Sequence, residues 1–234
     1  MSESNTGNGK SDIITLKGVG KSFWRGKERL DVLKDLDLTM KEGSFEALMG
    51  PSGSGKSTLL NLIAGLDVPT SGSINVAGSE LGNMSEGDRA GFRAANIGFV
   101  FQTYNLMPVL TAVENVELPL LLVKNMSAGE RRQRAEKALK LVGLEGRMGH
   151  YPRQLSGGQE QRVTIARAIV TDPKIIVADE PTGDLDRESA NDILNLLGRL
   201  NTELGKTIVM VTHDPAAAER ARVTHRLDKG ALAL

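Results

Sequence analysis

Two early segments of the chain alternate between apolar and polar positions. Residues 13–18 alternate with a period of two, and Leu36, Leu38 and Met40 are separated by single polar residues. Successive side chains of a β-strand point to opposite faces, so this pattern predicts strands with one buried face. We therefore predict β structure in the N-terminal part of the chain.

Four shorter segments are mostly apolar without alternation. They are Phe45–Met49, Ile97–Phe101, Ile175–Ala178 and Thr207–Thr212. The last two are typical of strands that are buried on both faces, as in a parallel sheet. The apolar residues of 193–204 recur at helical spacing between these two runs, which predicts a strand–helix–strand unit with a right-handed crossover.

Between Thr103 and Leu155, helix and loop patterns replace the strand patterns. Ser127 and Glu130 have the spacing of a capping box, and Gly143 is placed to end the helix that follows. We interpret residues of about 103–170 as a helical lobe, inserted into an α/β core of about 12–102 and 171–234. The polar residues 1–11 are predicted to be a disordered leader before this single domain.

The composition argues against several classes of protein. The 29 basic and 29 acidic residues balance, whereas binding to a phosphate backbone favours a basic surplus, so no nucleic-acid partner is expected. The absence of cysteine from the sequence excludes disulfides and cysteine metal sites. The most apolar stretch, Val116–Val123, contains Glu117 and Pro119 and is far shorter than a membrane span. Any function at a membrane therefore requires a partner protein.

The segment from Gly50 to Ser57 matches the P-loop pattern without a gap. Its place between a predicted strand and a predicted helix argues against a chance match in an ordinary glycine-serine turn. In a P-loop, backbone N–H groups and the helix N-terminus surround a phosphate. Lys56 is expected to reach the β- and γ-phosphates of ATP, and the Ser57 hydroxyl to bind Mg²⁺. The predicted nucleotide-binding residues of this segment are Gly50, Pro51, Ser52, Gly53, Ser54, Gly55, Lys56, Ser57 and Thr58.

Two carboxylates follow the apolar run Ile175–Ala178 directly. Asp179 is predicted to hold Mg²⁺, directly or through water, and Glu180 is placed where a general base would polarise an attacking water. By themselves these two acids also fit a solvated strand end. Together with the P-loop, they favour a catalytic site.

A second glycine-rich helix start, Leu155–Gln159, reads Leu-Ser-Gly-Gly-Gln. It offers another set of free N–H groups and another positive helix end, so it predicts a second contact with phosphate. At this point the chain resembles the ATP-binding subunits of ABC transporters, over about residues 13–230. The resemblance implies a P-loop NTPase cassette with a RecA-like parallel-sheet core, an N-terminal antiparallel β part and an inserted helical lobe.

In the family that this chain resembles, the Leu-Ser-Gly-Gly-Gln segment of one protomer closes on ATP held by the P-loop of the other. The resemblance thus implies that Ser156, Gly157, Gly158 and Gln159 contact the nucleotide of a second copy. Each dimer would then contain two composite sites, with one ATP in each.

Other positions acquire a role only through the resemblance. Phe23 resembles the aromatic residue that stacks on adenine, with Trp24 as a competing candidate. Gln102 resembles the glutamine that senses Mg²⁺ and water, Asp186 the aspartate of a loop at the dimer interface, and His213 the histidine that contacts the γ-phosphate. The catalytic set implied is Glu180 and Lys56 together with Gln102 and His213.

Three polar residues are given no catalytic role. His150 and His225 are interpreted as structural or solvated. Glu46 departs from the family pattern, which more often has an apolar residue there, and we expect it to face solvent at the start of its strand.

The expected function is Mg²⁺-dependent ATP hydrolysis that drives a separate transmembrane permease subunit. The segments Tyr104–Val116 and Ala178–Gly183 resemble the lipoprotein-releasing and macrolide-export subgroup. This implies a cytoplasmic protein, peripheral on the inner face of the cell membrane. The alternatives are a DNA- or ribosome-associated relative, a cassette that regulates cell division, and a nucleotide-binding scaffold without turnover.

Overall fold

The computed structural model describes residues 10–233. The strands are β1 (Asp12–Arg25), β2 (Glu28–Lys41), β3 (Phe45–Met49), β4 (Ser71–Val76), β5 (Ser79–Glu80), β6 (Ile97–Phe101), β7 (Ile175–Asp179), β8 (Thr207–Val211), β9 (Val223–Asp228) and β10 (Ala231–Ala233). The helices are α1 (Lys56–Ile63), α2 (Glu86–Asn96), α3 (Ala112–Glu117), α4 (Ala128–Leu141), α5 (Gly157–Ile169), α6 (Arg187–Leu204) and α7 (Pro215–Ala218). Short 3₁₀ turns lie at Leu81–Asn83, Leu118–Leu122, Glu145–Arg147 and Pro152–Gln154.

The strands form two sheets. A four-stranded antiparallel sheet has the order β2-β1-β4-β5, and a six-stranded sheet has the order β10-β9-β3-β8-β7-β6. In the larger sheet every pair is parallel except β9 with β10. The predicted α/β class, with a parallel core and an antiparallel N-terminal part, is confirmed.

The apolar residues bury both faces of the parallel sheet. One cluster joins it to α3, α4, α5 and α6, and the other joins it to α1 and the antiparallel sheet. The helices α3, α4 and α5 contact one another, and α5 also packs on β6. They occupy the region predicted to be a helical lobe, whose boundaries stay a prediction. Because α5 contacts both the other two helices and β6, it links this region to the sheet.

Helix ends follow the sequence signals. Ser127 and Glu130 form both bonds of the predicted capping box at the start of α4, and Gly143 has a positive φ of 76° just after its end. The predicted leader, residues 1–11, lies outside the described residues apart from Lys10 and Ser11. Those two bond to the turn after β2, where Lys10 Nζ donates to Gly43 O at 3.2 Å and Ser11 Oγ to Glu42 at 2.8 Å.

The expectation that Glu46 faces solvent is wrong. Glu46 is 4% exposed, and its carboxylate accepts a 2.7 Å hydrogen bond from Ser44 Oγ and lies 2.6 Å from His225 Nε2. The bond between Glu46 and His225 connects β3 to β9. His225 is therefore a structural histidine, as predicted, and it provides the polar partner that lets a carboxylate be buried there.

Replacing His225 with Ala is expected to destabilise the fold by about 1–3 kcal/mol, because a buried carboxylate loses a hydrogen-bond partner. Denaturant unfolding followed by circular dichroism measures this loss. His150, whose ring contacts Arg147 in an exposed position, provides the control, since His150→Ala should change stability by less than about 0.5 kcal/mol. Equal stability of wild type and His225→Ala would contradict a structural role for the pair.

Candidate functional site

The glycine-rich loop between β3 and α1 is shaped by contacts that exclude side chains. A Cβ atom on Gly50 would lie 2.1 Å from the carbonyl oxygen of Leu227 in β9. Gly55 has a φ of 101°, and a Cβ there would lie 2.8 Å from the Leu33 side chain and 3.0 Å from the Val32 carbonyl oxygen. These two glycines therefore let the loop fold against β2 and β9.

Lys56 is the cation of this loop. Its side chain is nearly buried at 9% exposure, and Nζ donates to the carbonyl oxygens of Gly50 at 2.8 Å and Pro51 at 2.9 Å. Both acceptors are neutral. The positive charge of Lys56 is thus held in the loop by groups that leave it available to an anion.

The loop forms one wall of a cavity of about 750 Å³. The cavity contains most of the predicted P-loop residues together with Asp179, Glu180 and His213. Its lining residues are Leu30, Val32, Gly50, Pro51, Ser52, Gly53, Gly55, Lys56, Ser57, Thr58, Asp179, Glu180, Val211 and His213. The sequence analysis missed Leu30 and Val32 of β2 and Val211 of β8. Leu30 could have been found from the sequence, because it is an apolar residue in a hairpin whose local pattern does not bury it. In the structure its side chain is 60% exposed.

Asp179 ends β7 beside the loop. Burial raises the pKa of its carboxyl group, and a hydrogen bond with the Ser57 side chain and the charge of Lys56 oppose that shift. A hydroxyl and a carboxylate in contact are oxygen ligands of the kind that Mg²⁺ takes. The pair of Ser57 and Asp179 therefore fits a magnesium ion next to a bound phosphate.

Replacing Asp179 with Asn is expected to stabilise the ligand-free protein at pH 7. A carboxyl whose pKa is raised on folding destabilises the fold once it ionises, and this effect is absent below its ordinary pKa of 3.8. The difference in melting temperature between variant and wild type should therefore shrink as the pH falls towards 4. A variant that melts lower than wild type at pH 7 would contradict this account.

Glu180 and His213 are hydrogen-bonded across the cavity. Glu180 Oε1 lies 2.8 Å from His213 Nδ1. Glu180 adopts a φ of 48° while its backbone N–H donates to Val211 O at 2.9 Å. A non-glycine residue in this conformation costs free energy, which the surrounding structure offsets. The conformation places the carboxylate at the cavity beside the P-loop.

Gln102 and Phe23 lie next to the cavity but do not line it. Gln102 Nε2 donates to Asp184 Oδ1 at 3.0 Å, so the glutamine after β6 contacts the loop between β7 and α6. Phe23 is 43% exposed and is the cross-strand partner of Leu30, which does line the cavity. Since cross-strand partners share a face of the sheet, Phe23 lies beside the Leu30 end of the cavity.

The second glycine-rich segment starts α5 on a different surface. Ser156 caps α5, where its Oγ accepts from the N–H of Gln159 at 3.3 Å and its N–H donates to Gln159 Oε1 at 3.0 Å. Gly158 lies against Ser189 of α6. Asp186 caps α6 through Ser189, and these bonds lower the pKa of Asp186. Within residues 10–233, none of the segment 156–159 lines the cavity that contains Lys56.

The comparisons with known proteins agree with these features. A family model described as ABC transporter matches residues 33–183. The lipoprotein-releasing system ATP-binding protein LolD of Bordetella avium is 47% identical over 203 residues, which is 87% of this chain and 88% of LolD. The macrolide export ATP-binding/permease protein MacB 1/2 of Paracoccus denitrificans is 49% identical over 209 residues, which is 89% of this chain and 31% of MacB.

A solved structure of similar fold is the ATP-binding cassette MJ0796, described as a dimeric post-hydrolysis state bound to ADP and Pi. It matches with a TM-score of 0.87 and 46% identity, covering 94% of this chain and 97% of that chain. The protein comes from Methanocaldococcus jannaschii. The predicted resemblance to lipoprotein-releasing and macrolide-export ATPases is confirmed by these relatives.

Proposed function

The chain belongs to the ABC transporter family of ATP-binding proteins, and from this premise we propose that two copies bind two ATP molecules between them and drive a transmembrane permease. The observation that carries the proposal is the separation of two phosphate-binding elements. The cavity holds Lys56 but not the helix start at Ser156. A second copy facing the cavity would supply that helix start.

Relatives named for lipoprotein release and macrolide export favour a transport role over the non-transport alternatives. Among residues 10–233, no helix is long and apolar enough to cross a membrane. The permease is proposed to be a separate subunit, because this chain covers 88% of LolD, which is named as an ATP-binding protein alone. In MacB, by contrast, the name joins ATP-binding and permease parts, and this chain covers 31% of that protein.

The reaction is hydrolysis of ATP to ADP and phosphate. Glu180 accepts a proton from the attacking water, whose oxygen forms a bond to the γ-phosphorus while the bond to the β-phosphate oxygen breaks. His213, bonded to Glu180 at 2.8 Å, orients this carboxylate and would contact the γ-phosphate from the lining of the same cavity. Lys56 turns from the carbonyl oxygens of its own loop to the phosphate oxygens, whose charge is larger.

Mg²⁺, when bound, would supply positive charge that offsets the charge of the phosphate groups. Ser57 and Asp179 would hold it. Gln102 would join this set when its bond to Asp184 opens, since its amide oxygen is a suitable ligand. Phe23 would cover the adenine next to Leu30.

A groove between α2, β6 and the turn Leu118–Leu122 is proposed to receive the permease. Its volume is about 550 Å³, and most of its lining is apolar. Leu122, which lines it, and the neighbouring Leu121 are 72% and 60% exposed, and unburied apolar groups of this kind mark interaction sites. The groove includes Phe101 and Asn105 on either side of Gln102, so the permease and the nucleotide cavity would share this segment.

Mixing two inactive variants tests the composite site. Lys56→Ala disables a P-loop and Ser156→Arg disables a helix start, so each variant alone should be inactive. In a mixed dimer one site combines both intact elements. About a quarter of wild-type ATPase activity is expected from an equal mixture, because half of the dimers are mixed and each keeps one of two sites. No activity above that of the separate variants would contradict a site shared between two copies.

A further inference from the structure

The loop that follows Gln102 is bonded to α5 by a single arginine. Arg167 Nη2 donates to the carbonyl oxygen of Tyr104 at 2.9 Å, and Nη1 donates to that of Asn105 at 2.7 Å. Arg167 is partly buried, and burial lowers the pKa of its guanidinium. Within residues 10–233 no carboxylate forms an ion pair with it. Its bonds to these two carbonyl groups are therefore its main compensation for lost hydration.

The two carbonyl groups point to Arg167 because of an unusual backbone conformation. Tyr104 and Asn105 have positive φ values of 32° and 50°. Consecutive non-glycine residues in this region cost free energy, of about 1–3 kcal/mol each, and persist only where the surroundings hold them. Charged hydrogen bonds from Arg167 stabilise both carbonyl groups, in addition to the bond within the loop that Asn105 N–H donates to Thr103 O. Without Arg167, the loop is expected to relax and to move Gln102.

The same loop also contacts the opposite end of α5. A Cβ atom on Gly157 would lie 2.9 Å from the hydroxyl oxygen of Tyr104, so the Tyr104 ring reaches the helix start that contains Ser156. Ser156 and Arg167 are about 16 Å apart along the helix, at 1.5 Å for each residue. The loop therefore contacts both ends of α5, at Arg167 and at Gly157.

A different residue fixes the rest of the segment. The buried side chain of Asn115 in α3 accepts from Met107 N–H at 2.7 Å and donates to the carbonyl oxygens of Met107, Leu110 and Thr111 at 3.0–3.1 Å. These bonds hold residues 107–111 to α3 and not to α5. Arg167 thus controls the part of the segment nearest to Gln102, separately from the part that follows.

We infer that Arg167 is a positioning residue for ATP hydrolysis, which ties the loop of Gln102 to the helix that carries Ser156. A displacement of α5 when Ser156 meets the nucleotide of the second copy would move Gln102 through these two bonds. The inference rests on the proposed composite site. It adds a connection within one copy between Gln102, near the nucleotide cavity, and Ser156, at the proposed dimer surface. Arg167, which makes this connection, does not line the nucleotide cavity.

Arg167→Gln tests the inference in the full-length protein. The variant should bind ATP as a monomer with an affinity within about twofold of wild type, because Arg167 does not line the nucleotide cavity. Its kcat should fall about 10- to 100-fold through misplacement of Gln102. Arg167→Lys, a point charge that reaches fewer acceptors, should give an intermediate kcat. A loss of ATP affinity with unchanged kcat would overturn the inference.

Arg162→Gln is the matched control. Arg162 lies on the same helix and also makes two bonds, to Val142 O at 2.9 Å and Asp192 at 3.0 Å, but it does not contact the loop of Gln102. Its kcat should stay within about twofold of wild type. A loss as large as that of Arg167→Gln would overturn the inference, because general loosening of α5 would then explain both.

Two further measurements separate this inference from the proposed function. If Arg167 acts through Gln102, then Arg167→Gln should add little to the effect of Gln102→Ala on kcat. Additive effects of the two variants would overturn the inference and leave the proposed function intact. Full activity of Gln102→Ala would overturn the role of Gln102 and the inference with it. Hydrogen exchange should be about tenfold faster at residues 103–106 in Arg167→Gln, but unchanged at 112–116. Unchanged exchange at 103–106 would also overturn the inference.

Discussion

Replacing Glu180 with Gln is expected to reduce ATP hydrolysis by about 10²- to 10⁴-fold, the contribution of a positioned general base. An amide has the size of the carboxylate and keeps a hydrogen bond to His213, which lies 2.8 Å away, but it does not accept a proton from water. ATP binding should be retained, since Lys56 and the loop are unchanged. Phosphate release and binding of a fluorescent ATP analogue measure the two effects separately.

The variant should also accumulate as an ATP-bound dimer. Hydrolysis removes the γ-phosphate that joins the two copies, so a protein that binds without hydrolysing stays closed. Size-exclusion chromatography with and without ATP measures this state. Glu203→Gln is the control, because Glu203 is a surface partner of Arg199. Glu180→Gln with wild-type activity would refute the base assignment.

Replacing Lys56 with Ala is expected to weaken ATP binding by about 1.5–3 kcal/mol, the usual contribution of hydrogen bonds to charged groups. This corresponds to an affinity roughly 10- to 150-fold lower, at 1.4 kcal/mol for each factor of ten. The loop also loses the bonds from Nζ to Gly50 O and Pro51 O, so it is less ordered before ATP binds. Isothermal titration calorimetry with ATP and Mg²⁺ measures the loss.

Lys206 provides a matched control for this variant. Lys206 Nζ also donates to a backbone carbonyl, that of Pro173 at 2.8 Å, and pairs with Asp172. It does not line the nucleotide cavity. Lys206→Ala should therefore leave ATP affinity unchanged, and equal losses in the two variants would show that Lys56 acts through fold stability instead.

The fold was predictable where burial determines the local sequence. β3 and β8 are buried along most or all of their length, and their apolar runs predicted them. α2 was missed because Phe92 is its only buried residue, which leaves no helical repeat of apolar positions. Ser85, which caps α2 by accepting from Asp88 N–H at 3.2 Å, was a signal that capping rules could have used.

Contacts between distant residues were not predictable in the same way. Glu46 pairs with His225, 179 positions away, and no local pattern shows that a carboxylate will be buried against such a partner. The contact of Gln102 with Asp184 spans 82 positions, and it was not predictable for the same reason. The P-loop was readable because its chemistry lies in consecutive residues. The nucleotide roles given to individual residues on the basis of resemblance stay predictions.

The structure of Glu180→Gln trapped with ATP and Mg²⁺ measures the arrangement of the site directly. We expect a symmetric dimer in which Ser156 Oγ lies about 3 Å, a hydrogen-bond distance, from the γ-phosphate bound by Lys56 of the other copy. A trapped state in which Ser156 lies far from every γ-phosphate, or in which the ATP is enclosed by one copy alone, would contradict it.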